Sequence, residues 1–145
     1  MSDIHVDDFF KDAAKTLARL YLSFPRRAVV MVEEIAGPVT TDEFGVPGTR
    51  FLSCFGTLLW LAEEGYLRYD ETIRMDAIDQ AVLTGRCFSV LTMRADGEVP
   101  PDDALPASVA SEQATYIHRI RDALKSGSSA RVRATMTDVM ARMVR

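Results

Sequence analysis

Residues 50–69 read RFLSCFGTLLWLAEEGYLRY, and this stretch limits the fold more than any other in the chain. An apolar run from Phe51 to Ala62 meets Glu63-Glu64-Gly65 and passes at once into Tyr66-Leu67-Arg68-Tyr69. Phe51, Cys54, Phe55, Leu58, Leu61 and Ala62 recur at three- and four-residue steps, the period of one helix face. Gly65 suits the left-handed residue that closes a helix. The Tyr-Leu-Arg-Tyr that follows suits a strand. A helix over Arg50–Glu64, capped by Thr49 and joined to a strand through one glycine, is therefore expected. The Phe51–Ala62 run is too short to cross a bilayer and is interrupted by Ser, Gly and Thr.

The flanking sequence places other elements around this unit. Val6, Phe10, Ala13, Leu17, Leu20 and Phe24 mark a first helix, widened by Phe9 and Tyr21, opened at Asp7 or Asp8 and stopped by Pro25. Ala28–Ile35 reads as a short β-branched strand running into a helical turn over Glu33–Ala36. GPVTTDEFGVPGT is loop punctuation. After Tyr66–Tyr69 the chain is expected to turn near Asp70-Glu71 and return as a strand within Ile73–Val82. Leu83-Thr84-Gly85 then caps a short helix, Arg86–Met93. Residues 95–106, ADGEVPPDDALP, form a proline-rich linker between a domain over residues 1–94 and a C-terminal helical hairpin over 107–145. Its two apolar faces are Ala110, Ala114, Ile117, Ile120 and Leu124, then Val132, Met136, Val139, Met140 and Met143, joined by the SGSS turn at Ser126–Ser129.

Two stretches carry a family resemblance: TLLWLAEEGYLRY (Thr57–Tyr69) and AVLTGRCFSVL (Ala81–Leu91). The first is similar to the reading helix and first wing strand of bacterial winged helix-turn-helix regulators. The second resembles the Leu-Thr-x-x-Gly step by which such proteins leave the wing, with Cys87 near the place of the glycine. The resemblance covers residues 8–93 and implies a mainly α fold with a small β-hairpin, a winged helix-turn-helix followed by the C-terminal helical hairpin. It is a likeness of fold, which does not by itself fix function.

Two binding roles follow from it. As a DNA-binding transcriptional regulator, the chain would present Arg50, Ser53 and Thr57 to the major groove, with Arg68 and Arg74 on the wing contacting phosphate. A homodimer would then place two reading helices about 34 Å apart. The alternative is a module for protein contact or assembly without DNA. Trp60 and Leu59 would form its surface, and Met136, Met140 and Met143 a plastic tail surface or a dimer seam. Charge bears on the choice. The 145-residue chain has net charge −4, but residues 1–103 hold 10 Lys/Arg against 18 Asp/Glu, while residues 104–145 hold 7 against 3. Acid over most of the chain works against a phosphate partner, since such binding begins with a positive field. Arg119, Arg121, Arg131 and Arg133 around the SGSS turn form a second basic cluster, which solvated helix faces also explain.

Catalytic chemistry has little to stand on. His5 and His118 are the only histidines, and His118 with Asp122 is an ordinary i, i+4 helix pair. Cys54 and Cys87 lack the paired spacing of a zinc site and read as buried free thiols, the state of a reducing compartment. Asp7-Asp8 and Asp102-Asp103 suit a helix start and a solvated linker better than an acid–base pair. No segment has the phosphate-loop pattern with its lysine. An acidic N-terminus does not resemble a secretory signal. The sequence therefore predicts a cytoplasmic, non-catalytic binding protein, homodimeric through its hairpin, with no cofactor or metal.

Overall fold

The computed structural model describes residues 3–38, 40–95 and 114–144. The chain is mainly helical with a small antiparallel sheet. In order it forms α1 (Ile4–Ser23), β1 (Ala28–Met31), α2 (Val32–Ala36), α3 (Thr49–Glu63), β2 (Leu67–Arg68), β3 (Glu71–Ile73), β4 (Ala77–Leu83), α4 (Gly85–Thr92), α5 (Tyr116–Ser126) and α6 (Ser129–Met143). Among the described residues no helix is long and apolar enough to cross a membrane.

β4 is the centre of the sheet. It pairs with β1 on one side and with β2 and β3 on the other, always antiparallel. Val30 faces Ile78, Leu67 faces Leu83 and Ile73 faces Ala77. The register against β1 slips between Ala28 and Val30, where β4 carries an extra residue. Gln80 takes that position with φ +57°, and its N–H donates to its neighbour Asp79 Oδ1 at 2.9 Å. Such a bulge bends and twists its strand.

The turn between the long strands lies later than the sequence suggests. Asp70-Glu71 does not reverse the chain: β3 continues along β4, and the reversal comes at Arg74–Asp76. Arg74 has φ +53° and Asp76 N–H closes the turn on the Ile73 carbonyl at 3.0 Å. α1 likewise starts earlier, at Ile4 with Asp3 before it, and α3 starts on Thr49 with Gly48 as its flanking residue.

Every element except β3 contributes to one core. Leu17 and Leu20 of α1, Leu58 and Leu61 of α3, Ile78 and Leu83 of β4, Leu91 of α4, Ile120 of α5 and Met136 of α6 belong to a single buried cluster. The helical hairpin is thus packed on the body. Ala95 N–H donates to the Ala114 carbonyl at 2.8 Å and Tyr116 N–H to the Met93 carbonyl at 3.1 Å, fastening the start of α5 beside the end of α4. Ala114 precedes the helix instead of lying in it; Ala110 and the linker from residue 96 fall outside the described residues.

Candidate functional site

α3 has both a core face and an open one. Phe51, Cys54, Thr57, Leu58 and Leu61 point inward. Leu52, Ser53, Gly56 and Glu63 are exposed, with Leu59 and Trp60 half-buried beside them. α3 ends as its sequence demands: Gly65 adopts φ +83° and Tyr66 N–H donates to the Leu61 carbonyl at 2.8 Å. Thr84 then locks the corner. Its hydroxyl donates to the Gly65 carbonyl at 2.7 Å and accepts from Cys87 N–H at 3.1 Å, capping α4.

The arginine at the head of α3 is already occupied. Arg50 Nη1 and Nη2 donate to Asp12 Oδ2 and Oδ1 at 2.7 and 2.6 Å, and Nε lies 3.6 Å from Asp8 Oδ2. Asp12 is 1% exposed. A buried carboxylate needs a fixed partner, and a planar guanidinium meets both oxygens at once. The hydrogen bonds from Arg50 to Asp12 raise the arginine's already high pKa, against the opposing effect of its partial burial. This side chain is a fold contact between α1 and α3. Arg50, expected to reach phosphate or base edges, has its charge met by two carboxylates of α1.

Thr57, expected on the same reading face, is turned inward. It is 4% exposed, and its hydroxyl donates to the Ser53 carbonyl at 3.1 Å within the helix. Ser53 itself is open. Between α1 and α3 lies a mostly apolar groove of 480 Å³ lined by His5, Phe9, Asp12, Ser53, Gly56, Thr57 and Trp60. Trp60 sits edge-on to Phe9 at 5.1 Å and stacks near Tyr66 at 5.8 Å, so its ring is half covered by its own chain.

Comparison with family models, with curated proteins and with solved structures finds no match.

Arg68 and Arg74 are exposed on the β-flap, Arg74 at its tip, and neither has an ion-pair partner among the described residues. They are not joined by Arg50. The tail methionines depart from expectation. Met136 is 0% and Met143 5% exposed within the monomer, and only Met140 is partly open. Met136 and Met143 are packed into the chain's own core. The basic cluster near the SGSS turn is also partly engaged: Arg121 lies over the Tyr21 ring at 5.2 Å and Arg133 over Phe10 at 5.5 Å. His118 Nε2 meets Asp122 Oδ2 at 3.2 Å, as its spacing indicates.

The thiols are unsuited to nucleophilic work. Burial pushes Cys87 up to about 12, and burial together with nearby Asp12 pushes Cys54 up to about 12. Burial also raises the Tyr66 hydroxyl to about 12. The reactive thiolate form is therefore scarce at neutral pH. Among the described residues no three His, Cys, Asp or Glu side chains converge on a common point.

Asp12 is the residue that sequence reasoning overlooked. A signal was present: it lies between Phe9 and Ala13 on the apolar side of α1, where a carboxylate demands a partner. Which arginine answers it is a long-range fact that no local period carries.

Proposed function

We propose that this chain is a non-catalytic, winged-helix-type binding module that engages protein through the open face of α3. Support for the winged-helix part comes from the order of elements: a short helix before α3, then strands in the spatial order β1-β4-β2 with a projecting β3–β4 hairpin. The observation that carries the choice of partner is the Arg50–Asp12–Asp8 contact. It removes the cation from the head of α3, and the remaining open face holds Leu52, Ser53, Gly56, Leu59, Trp60 and Glu63. A face with leucines, a tryptophan edge and a carboxylate suits a protein surface and repels a polyphosphate.

The second reading, DNA binding, is favoured by Arg68 and Arg74 alone. Two phosphate contacts release few counterions and give weak binding at physiological salt. Retention of a random-sequence duplex, titrated against salt, separates the readings. The expected result is no retention at 150 mM salt (roughly the physiological strength). Strong retention that falls steeply with salt and is lost in Arg68→Ala/Arg74→Ala would establish the DNA reading instead.

A further inference from the structure

The groove between α1 and α3 is aromatic along its middle and acidic at its ends. Phe9 and Trp60 meet edge-on at 5.1 Å along it, and Gly56 and Thr57 complete its α3 side. Asp12 is the one carboxylate among its lining residues, and they include no lysine or arginine. Glu63 and Glu64 stand three and four residues past Trp60, one turn further along α3, and both are exposed. Neither has an ion-pair partner among the described residues.

The charges around the groove do not cancel. Asp8 and Asp12 share a single guanidinium, that of Arg50, which leaves one negative charge in excess at that end. Lys15, one turn on from Asp12, turns away to the Ile35 carbonyl of α2 at 3.3 Å. At the other end the last turn of α3 holds no basic residue, so the negative end of the helix dipole adds to Glu63 and Glu64. No lysine or arginine occurs before Lys11 or between Arg50 and Arg68. Such a field draws in a cation and turns away an anion.

Gly56 leaves the room that a cation on a long stem needs. A Cβ there would meet no heavy atom within 4 Å, and its φ is not positive. Neither packing nor backbone geometry calls for glycine, which inside a helix costs stability relative to alanine. What its missing side chain does is keep the groove open one turn before Trp60. The volume of 480 Å³ lies within the roughly 300–1,000 Å³ of ligand sites. Arginine matches each part of this surface. Its methylene stem lies along apolar walls while its head stays near water. Its planar guanidinium stacks on an aromatic ring and meets carboxylates in a fork. Lysine brings a hydrated point charge instead.

We propose that the groove receives an arginine side chain from a basic segment of the partner protein, with the stem along Phe9 and Trp60 and the guanidinium at Glu63 and Glu64. The excess charge at Asp8 and Asp12 favours a second basic residue in the same segment. This rests on the protein-binding reading above and names the chemistry of its partner.

The test titrates the full chain at low salt with hexa-arginine, acetylated and amidated at its ends. Trp60 is the only tryptophan, so its emission reports on the groove. A saturating change is expected, and it should weaken as salt rises. Gly56→Leu keeps every charge and fits the fold, so its unfolding temperature should be kept or raised. Its affinity for hexa-arginine should fall about tenfold or more, the scale of losing a central contact. Glu63→Gln/Glu64→Gln changes only exposed positions and should weaken binding as well, and hexa-lysine should bind the wild type less tightly than hexa-arginine. Three results would overturn the proposal: no change in emission with hexa-arginine, equal affinity for hexa-lysine, or an affinity untouched by both variants, which would mean diffuse attraction to an acidic surface only. The protein-binding reading fails separately, through salt-sensitive DNA retention in the titration above.

Discussion

At the scale of single residues, Asp12 and Arg50 outweigh the rest because they turn a suspected reading residue into part of the fold. Removing Arg50 strands a carboxylate that is 1% exposed. Breaking a buried pair costs about 3–5 kcal/mol, and the 38% exposure of the Arg50 side chain lowers that through solvent screening to about 2–3 kcal/mol. Chemical denaturation of Arg50→Ala should show that loss, and Arg50→Ala/Asp12→Leu should recover part of it, because the carboxylate is then gone as well. If Arg50→Ala unfolds at the wild-type denaturant concentration, the contact is not structural and the arginine returns to the list of binding residues. The sequence offered Arg50 as a reader because residue type and helix position are local properties. Asp12, thirty-eight residues earlier, is not local.

The two thiols give a second prediction at this scale. Each has a folded pKa of about 12 against an ordinary value of 9.0. Between those values the unfolded chain loses protons that the folded chain keeps, so the native state is fully favoured below pH 9.0 and loses stability as pH climbs toward 12. Cys87→Ala should flatten part of this alkaline decline, at the cost of a small cavity felt at neutral pH. A melting profile from pH 7 to 11 in both proteins measures it, and parallel curves would show that burial of Cys87 is not the cause.

At the scale of elements, what the sequence revealed was periodic and what it hid was paired. The helices α1 and α3, the strand–helix step at Ala28–Ala36, the cap at Thr84 and the SGSS turn at Ser126–Ser129 all came from local spacing and local chemistry. Gly127 closes α5 with φ +69°, and Ser128 accepts from Arg131 N–H at 3.2 Å. The hairpin tip was misplaced because β2 and β3 form one interrupted edge along β4, and an interruption at Asp70 looks like a turn until the partner strand is known. Arg74 then takes the left-handed turn position that a glycine signal would have advertised. Thr84 joins three elements through one hydroxyl, so Thr84→Val should destabilise the protein by about 1–2 kcal/mol, the size of a lost cap, while Thr84→Ser should lose much less. Equal melting temperatures for the two variants would mean that the hydroxyl does little at this corner.

At the scale of the whole molecule, the hairpin of α5 and α6 belongs to the same core as the helices and sheet before it. Met136 and Met143 are buried, and Ile120 is 1% exposed. The amphipathic faces that seemed to ask for a second subunit are answered by α1 and α4 of the same chain. Sequence alone could not choose between these covers, since an apolar stripe says that it is covered and not by what. One consequence concerns cooperativity. A chain ending at residue 95 would uncover the sides of α1 and α4 that α5 and α6 now protect. It should lose a single sharp unfolding transition and bind a hydrophobic dye, as chains that keep helices without fixed packing do. The full chain should unfold in one step, with near-ultraviolet and far-ultraviolet circular dichroism coinciding. A shortened chain that still melts sharply would make the hairpin an appendage. The buried methionines would then be free to face a partner.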